Sequence, residues 1–498
     1  MLISHKQKRL FDINKLINKY QSNNKKIIHA HGVFDLLHVG HIRHLELAKK
    51  QGDILVVTIT TDEFVNKGPN RPVFDENLRS YAIASLEYVD YVCLSPFPTS
   101  VEAINIIKPN VFVKGEEFKE QEDITGGILK EIKAVQNNGG KVAYLGDIVY
   151  SSSNIINFIG LDNIHKNRNY FSKIKKIYDL DELIKWIDKL SDLQVTVIGE
   201  TIIEEYIYCE GKGQSLKDPV LSVKRQNSLL HPGGALFIAN ILSELINNVK
   251  LITDFDIHES KLLEKNIINK KIEYININKF GIIWRQKIID KDSGNKIFEI
   301  LNYNENKITE EQPLLDSIFE NDILFISDHG LGFIDKNLAE SVSKSNSFVS
   351  LNIQCNPENS GINSIKKYKR ADHCCLSGHE FELEIGTRKE KINNPLKELN
   401  KYINCDNFTI TDGKKGTRHF SEGKNRIKAP AIANKVLDRV GAIDIVFAVS
   451  SLLVSIGAPQ EVVGFYSNLA SAIHVAENGN TNTITKEKIL RFTTSLLK

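Results

Sequence analysis

The chain has 498 residues, 41% of them hydrophobic and 25% charged, enough for two or three compact units with real cores. Its 64 Lys and Arg against 62 Asp and Glu leave a formal charge of +2, so there is no global electrostatic drive toward nucleic acid or an anionic membrane. No apolar run reaches the roughly 18 residues of a membrane span, and the first residues lack the apolar stretch of a signal peptide. A soluble, cytoplasmic protein is therefore expected, with its six scattered cysteines reduced.

In chain order, short β-branched runs at residues 26–32, 53–60, 89–95, 110–115 and 141–147 alternate with amphipathic stretches up to about Phe158. That rhythm predicts a parallel α/β sheet. Residues 159–192 break it with a polar, Asn- and Lys-rich stretch holding one short helix around 179–190, which reads as a linker. A strand start at Gln194 opens a second α/β series running to Lys498. It is interrupted by two strand-like runs about Asp292-Ser293-Gly294, the signal of a hairpin. The expected domains are residues 1–158 and 193–498, joined by 159–192.

The densest chemistry lies between His29 and Asp53. A β-run ending at His31 leads through a glycine-containing turn to His38-Val39-Gly40-His41, directly before a helix with apolar residues at helical spacing. Such a turn aims backbone N–H groups and the positive end of a helix dipole at an anion, and imidazoles three residues apart can face that same anion. Spacing alone leaves a pair of surface histidines open as the alternative. His373-Cys374-Cys375 has the residue types of a metal site, but neighbours on an extended segment point to opposite faces, and no metal is expected there.

The segment Gly32–His41, G-x-F-D-x-L-H-x-G-H, resembles the signature of the cytidylyltransferase-like nucleotidylyltransferases. The likeness is greatest to the adenylyltransferase domain of bacterial bifunctional heptose-phosphate kinase/adenylyltransferases. It continues through Lys67, Arg71-Pro72-Val73, Arg79, Val113-Lys114-Gly115 and Ser151–Ile156. The resemblance implies a Rossmann-like domain in which a sugar or polyol phosphate attacks the α-phosphorus of a nucleoside triphosphate and releases pyrophosphate, with no covalent enzyme intermediate. His38, His41 and Lys114 would be catalytic. Gly32, Phe34, Asp35, Gly40, Lys67, Arg79, Gly115, Ser152 and Ser153 would bind nucleotide and phosphate. Among these, Asp35 would orient a histidine or the metal-bound nucleotide, Lys67 and Arg79 would pair with phosphates, and Ser152 and Ser153 would cap the last helix and donate to the triphosphate. Magnesium is implied as the bridge between triphosphate oxygens. Residues Asp147–Ser153 are nearer the adenylyl-transferring form than the R-T-E-G-I-S-T-T of CTP-using relatives, which favours ATP over CTP.

From Val195 the chain resembles the ribokinase-like (PfkB) sugar kinases, an α/β domain with a small β lid. The matching stretches are Gly199–Tyr206, His231–Ala235, Ile326–Gly332, Ile410–Gly416 and Asp438–Asp444. Transferase first and kinase second reverses the order of the common bifunctional enzyme. The resemblance implies Asp444 as general base on a sugar hydroxyl and Gly441 and Ala442 as a backbone anion hole. It places Thr411, Gly413 and Gly416 at the nucleotide, and Glu204, Gly233, Gly234 and Asp328 at the sugar. The pattern departs at Ile443, which replaces the second glycine of G-A-G-D, at Phe237 for Asn, at Leu331 for a basic or imidazole group, and at Ser377 for Asn, with Glu380 retained. Two expectations stay open: an active sugar kinase that supplies the phosphate for the first domain, or a dead binding or dimerisation module, which the joint loss of polar groups favours. The resemblance also implies a homodimer acting on a nucleoside triphosphate and a sugar or polyol phosphate, toward a nucleotide-diphosphate sugar for cell-surface glycans.

Overall fold

The computed structural model describes residues 5–65, 71–116, 127–145, 167–215, 217–254, 269, 271–277, 281, 283–303, 323–356, 359, 362–388, 392, 394–434, 436–477, 479–480 and 484–497. The chain divides into two compact units, one of residues 1–166 with 491–498 and one of residues 167–490.

The described part of the first unit follows β1 (Gln7–Arg9), α1 (Leu10–Ser22), β2 (Ile27–Gly32), α2 (Val39–Lys49), β3 (Ile54–Thr60), α3 (Glu76–Ala84), β4 (Tyr91–Ser95), α4 (Val101–Ile107), β5 (Val111–Gly115), α5 (Gly127–Asn137) and β6 (Lys141–Leu145). Its sheet runs β1-β4-β3-β2-β5-β6, with every pair parallel. Strands covered on both faces are largely apolar, as the buried Leu55, Val56 and Val57 of β3 are. Alternate side chains feed two cores. Ile28, Leu55 and Val57 pack with Leu45 of α2 and Ile83 of α3, whereas Ile27 and Val56 pack with Ile13 and Ile17 of α1 and Ile107 of α4. The five expected strands are all present. Edge strand β1 lay outside the expectation, because Gln7-Lys8-Arg9 carries no apolar run. The chain winds from β2 outward to β4 and then resumes at β5 on the other side. The crevice beyond the ends of β2 and β5 is thus the switch point where parallel sheets bind ligands.

The stretch read as a linker folds, from residue 167, into α6 (Arg168–Ile177) and α7 (Leu180–Asp188), and both belong to the second unit. Asp179 and Glu182 form a reciprocal capping box on α7, and the Tyr466 hydroxyl donates to the Leu183 carbonyl at 2.9 Å.

The second unit continues with β7 (Gln194–Gly199), β8 (Thr201–Gln214), β9 (Leu221–Gly233), α8 (Gly234–Ser243), β10 (Asn248–Thr253), β11 (Ile272–Asn276), β12 (Ile283–Asp290), β13 (Lys296–Asn302), β14 (Ile323–Asp328), α9 (Lys336–Lys344) and β15 (Phe348–Ile353). Then follow β16 (Arg370–Ser377), α10 (Gly378–Ile385), α11 (Pro395–Leu399), β17 (Asn404–Thr411), β18 (Thr417–Ser421), β19 (Ile427–Ala429), α12 (Ala442–Ser455) and α13 (Gln460–His474), and the last helix, α14 (Lys486–Leu497), starts in this unit and runs past its end at Leu490. Among the described residues the main sheet has nine strands, β11-β10-β7-β14-β15-β16-β17-β18-β19, parallel up to β17. A separate sheet, β13-β12-β8-β9, is the small β layer; its β12–β13 hairpin turns at the expected Asp292-Ser293-Gly294. Among the described residues no helix is long and apolar enough to cross a membrane.

Candidate active sites

In the first unit β2 delivers the chain to the switch point at Gly32. Phe34 follows with φ +49°, a left-handed backbone rare for an aromatic residue. Its buried ring meets His41 edge to face, with centroids 5.2 Å apart. A Cβ on residue 32 would stand 3.1 Å from that ring, a tight fit. α2 then begins at His38, whose Nδ1 accepts from the Gly40 N–H at 3.1 Å. In the neutral ring the proton is therefore on Nε2. The His38 and His41 rings stack 3.8 Å apart at the helix N-terminus, a pair of imidazoles placed at the positive end of a helix dipole.

Two charged residues of the motif serve other ends than those expected. Asp35 is fully buried, pairs with the Arg71 guanidinium and accepts from the Val73 N–H at 2.5 Å. It clamps the Arg71-Pro72-Val73 segment to the loop after β2, where the sequence suggested a partner for a histidine or the nucleotide. Arg79, expected to pair with phosphate, is buried in α3. Its guanidinium donates to the carbonyls of Val33 (2.5 Å), Phe74 (3.0 Å) and Thr60 (2.9 Å) and to Asp62 (2.5 Å). With its fork spread over these acceptors, Arg79 holds the loop after β2 rather than a ligand.

At the end of β5, beside Gly115, Lys114 pairs with Glu131 of α5, and the Ser100 hydroxyl donates to the other oxygen of that carboxylate at 2.6 Å. His31, at the end of β2, bonds the hydroxyls of Thr58 (2.8 Å) and Thr60 (3.2 Å). Burial brings its pKa down to about 4, so its ring is neutral. Glu131, Ser100 and His31 escaped the sequence reading, since each stands outside the motif. Lys67, Ser152 and Ser153 lie outside the described residues.

In the second unit Gly441, with φ +75°, caps α12. A Cβ there would lie 2.6 Å from both the Phe237 ring and the Asn480 side chain, so only glycine fits. Ala442 opens the helix and Asp444 stands in its first turn. Asn352 (3.1 Å) and Gln354 (2.6 Å) donate to Asp444 Oδ1. Burial first, then the Glu204 charge, raises its pKa to about 7. Glu204 on β8 pairs with Lys287 (2.5 Å) and more loosely with Arg285 (3.8 Å), both from β12. Gly233 ends β9, and Gly234, at φ +58°, packs too closely on the Glu200 carbonyl to admit a side chain.

Asp328 is not available to a sugar. Its carboxylate accepts from the Tyr368 hydroxyl (2.7 Å) and the Gly330 N–H (3.0 Å) and pairs with Lys367 (2.5 Å), with no exposed side-chain surface. Glu200 lies beside it, accepting from the N–H groups of His329 (3.0 Å) and Leu331 (3.1 Å), and burial with the Asp328 charge raises it to about 7. The departures from the family pattern are absorbed by packing. Leu331 joins the apolar cluster with Ile202 and Ile283, and Ser377 forms a capping box with Glu380. Thr411 closes β17, and Gly413 and Gly416 carry the following turn at φ +56° and +90°. Asp438, just before α12, accepts from the Tyr206 hydroxyl (2.7 Å) and the Arg439 N–H (2.7 Å) and pairs with Lys296 of β13 (2.7 Å). His373 is a buried neutral ring bonded to Ser350 (2.9 Å) and Thr409 (2.9 Å), its pKa lowered to about 3 by burial.

These two sites define a two-domain chain. Residues 192–487, well over half of it, match the pfkB family carbohydrate kinase, and the chain belongs to that family. Residues 29–158 match the cytidylyltransferase-like family. Among curated proteins the chain is similar to the bifunctional protein HldE of Aliarcobacter butzleri, 40% identical over 132 residues that make up 26% of this chain and 28% of that protein. It is also similar to the HldE of Helicobacter pylori, at 33% over 158 residues, 31% of this chain and 32% of that one. The match thus spans less than a third of the length of either relative. Among solved structures the chain is similar to Arabidopsis thaliana ribokinase complexed with ribose and ATP (15% identity, TM-score 0.47, covering 61% of this chain and 99% of that one). A second is Escherichia coli phosphofructokinase-2 (12% identity, TM-score 0.49, 61% and 100%).

Proposed function

We propose that the first domain joins a nucleoside monophosphate, AMP in preference to CMP, to a sugar or polyol phosphate. An acceptor phosphate oxygen bonds to the α-phosphorus while the bond to pyrophosphate breaks, and the charge passes to the departing pyrophosphate. The observation that carries this reading is the stacked His38–His41 pair at the N-terminus of α2, in the crevice at the switch point. Donors fixed in place before charge develops are the strongest aid such a transfer can receive. Lys114 supplies a further cation, and Phe34 and Gly32 shape the loop.

Magnesium would neutralise triphosphate charge when bound. Asp35 and Glu131 are committed to Arg71 and Lys114, and among the described residues no group of three or more His, Cys, Asp or Glu could hold a metal ion. Among the described residues the site offers the ion no ligand set of its own.

A second observation favours an active kinase over the inert module. Asp444 is held by Asn352 and Gln354 at the start of α12, with a pKa near neutrality suited to a general base. It would take the proton of a sugar hydroxyl as that oxygen bonds to the γ-phosphorus and ADP leaves. The same reading takes the chain as a cytoplasmic homodimer on the way to a nucleotide-diphosphate sugar. The test is pyrophosphate release by the full chain with each of the four common nucleoside triphosphates against sugar 1-phosphates and polyol phosphates. His41→Ala should keep the circular dichroism spectrum and lower turnover by roughly two orders of magnitude or more; near-normal turnover would sink the transferase assignment.

A further inference from the structure

We propose that Glu131 is a positioning residue for the first domain's reaction, fixing the ammonium of Lys114 through one carboxylate oxygen while Ser100 anchors the other. The inference rests on the transferase reading above. Lys114 and Glu131 keep only 14% and 13% of their side-chain surface exposed, so their pairing is nearly withdrawn from solvent. Ser100 occupies the N-cap position of α4, yet its hydroxyl caps nothing in that helix and donates to Glu131 Oε1 at 2.6 Å. A serine at an N-cap ordinarily gives its hydroxyl oxygen to a free N–H of its own helix. Here that hydroxyl is turned to the carboxylate instead, and the carboxylate in turn to the lysine.

The physical consequence concerns the lysine's freedom. An ammonium on a flexible four-carbon stem is a roaming point charge, and an acid locked at its far oxygen makes it a stationary one. Among the described residues, the neighbouring imidazole adds no second charge. His31, which feels both partners electrostatically, is a neutral ring hydrogen-bonded to Thr58 and Thr60. The carboxylate also partly cancels the field that Lys114 offers to a resting triphosphate. Placement is thus gained at the expense of ground-state attraction, a division that favours turnover over substrate affinity. A carboxylate with a purely structural role would show no such division.

The experiment uses the full chain and the triphosphate and acceptor pair that the wild type turns over. Glu131→Gln keeps size and one acceptor oxygen but removes the charge. It should lower kcat roughly tenfold while the KM for triphosphate stays level or falls. Ser100→Ala should lower kcat in the same direction by roughly threefold, the size of one lost hydrogen bond. In a Lys114→Met background, Glu131→Gln should cause no further loss. Wild-type kcat in Glu131→Gln, or the same fall with Lys114 already removed, overturns the inference alone. No pyrophosphate release by the wild type on any pairing overturns the transferase reading and this inference with it.

Discussion

Arg79→Met separates the two roles that sequence and structure give this residue. The substitution keeps the stem and deletes a guanidinium whose side chain is fully buried. Three carbonyls, of Val33, Phe74 and Thr60, lose their donor, and Asp62 loses its cation. Asp62 is 38% exposed and Phe74 44% exposed, so both can turn to water, whereas the Val33 and Thr60 carbonyls are tied to the loop after β2 and to the end of β3. Each buried acceptor left without a partner costs about 1–3 kcal/mol, and partial relaxation brings the sum to about 3–5 kcal/mol, the usual scale for breaking a buried charged network. For a unit of this size 1 kcal/mol moves Tm by about 2–4 °C, so the first unit should melt about 10 °C lower. Differential scanning calorimetry of the full chain would read it, with Arg79→Lys falling between because it keeps the charge and loses the fork. An unchanged Tm with a tenfold rise in the triphosphate KM would refute the structural role and restore Arg79 as a phosphate ligand.

Asp444→Asn should abolish sugar phosphorylation, assayed as ADP formation over a panel of hexose and heptose phosphates, while pyrophosphate release persists. Wild-type kcat/KM for that step should rise with pH and level off above about 7, where Asp444 has given up its proton. The sign for stability is opposite. Between its ordinary pKa of 3.8 and about 7 the folded state keeps a proton that the unfolded chain has released. Stability from this group therefore falls as pH rises through that window. Asp444→Asn should remove that component and melt above the wild type at pH 8; a lower Tm there would refute it. Gly416→Ala should be severe, since at φ +90° its Cβ would press on the Ala429 carbonyl. Gly413→Ala, at φ +56° with open space around it, should cost only about 1–2 kcal/mol. Equal losses of Tm in the two variants would show that contact with residue 429 is immaterial.

Much of the architecture was legible because burial on both faces leaves a plain mark. The run Ile54–Thr60 can only be a covered strand, and Asp292-Ser293-Gly294 can only turn a hairpin between its neighbours. The pairing of His38 with His41 was legible because their spacing and their place before a helix bring both rings to one helix N-terminus. Direction of charge was not. Asp35, Arg79 and Asp328 sit within motif-like stretches, but a sequence does not say whether a charged side chain faces a ligand or the protein's own carbonyls and cations. Each faces the protein. Glu131 left no signal at all, being one acid on an amphipathic helix whose partner lies on another strand. The polar Gln7–Arg9 strand was invisible because its pairing with Val92–Leu94 lies in backbone hydrogen bonds rather than in side-chain pattern.

Two of the ties that hold the small four-stranded sheet meet at Asp438. Lys296 comes from the edge strand β13 and is 39% exposed, and its partner carboxylate is 8% exposed. Tyr206 is buried on β8, and its bond to the same carboxylate is a hydrogen bond to a charge, worth about 1.5–3 kcal/mol. Two strands of the small sheet, one at its edge and one inside it, thus share a single carboxylate on the segment that leads into α12.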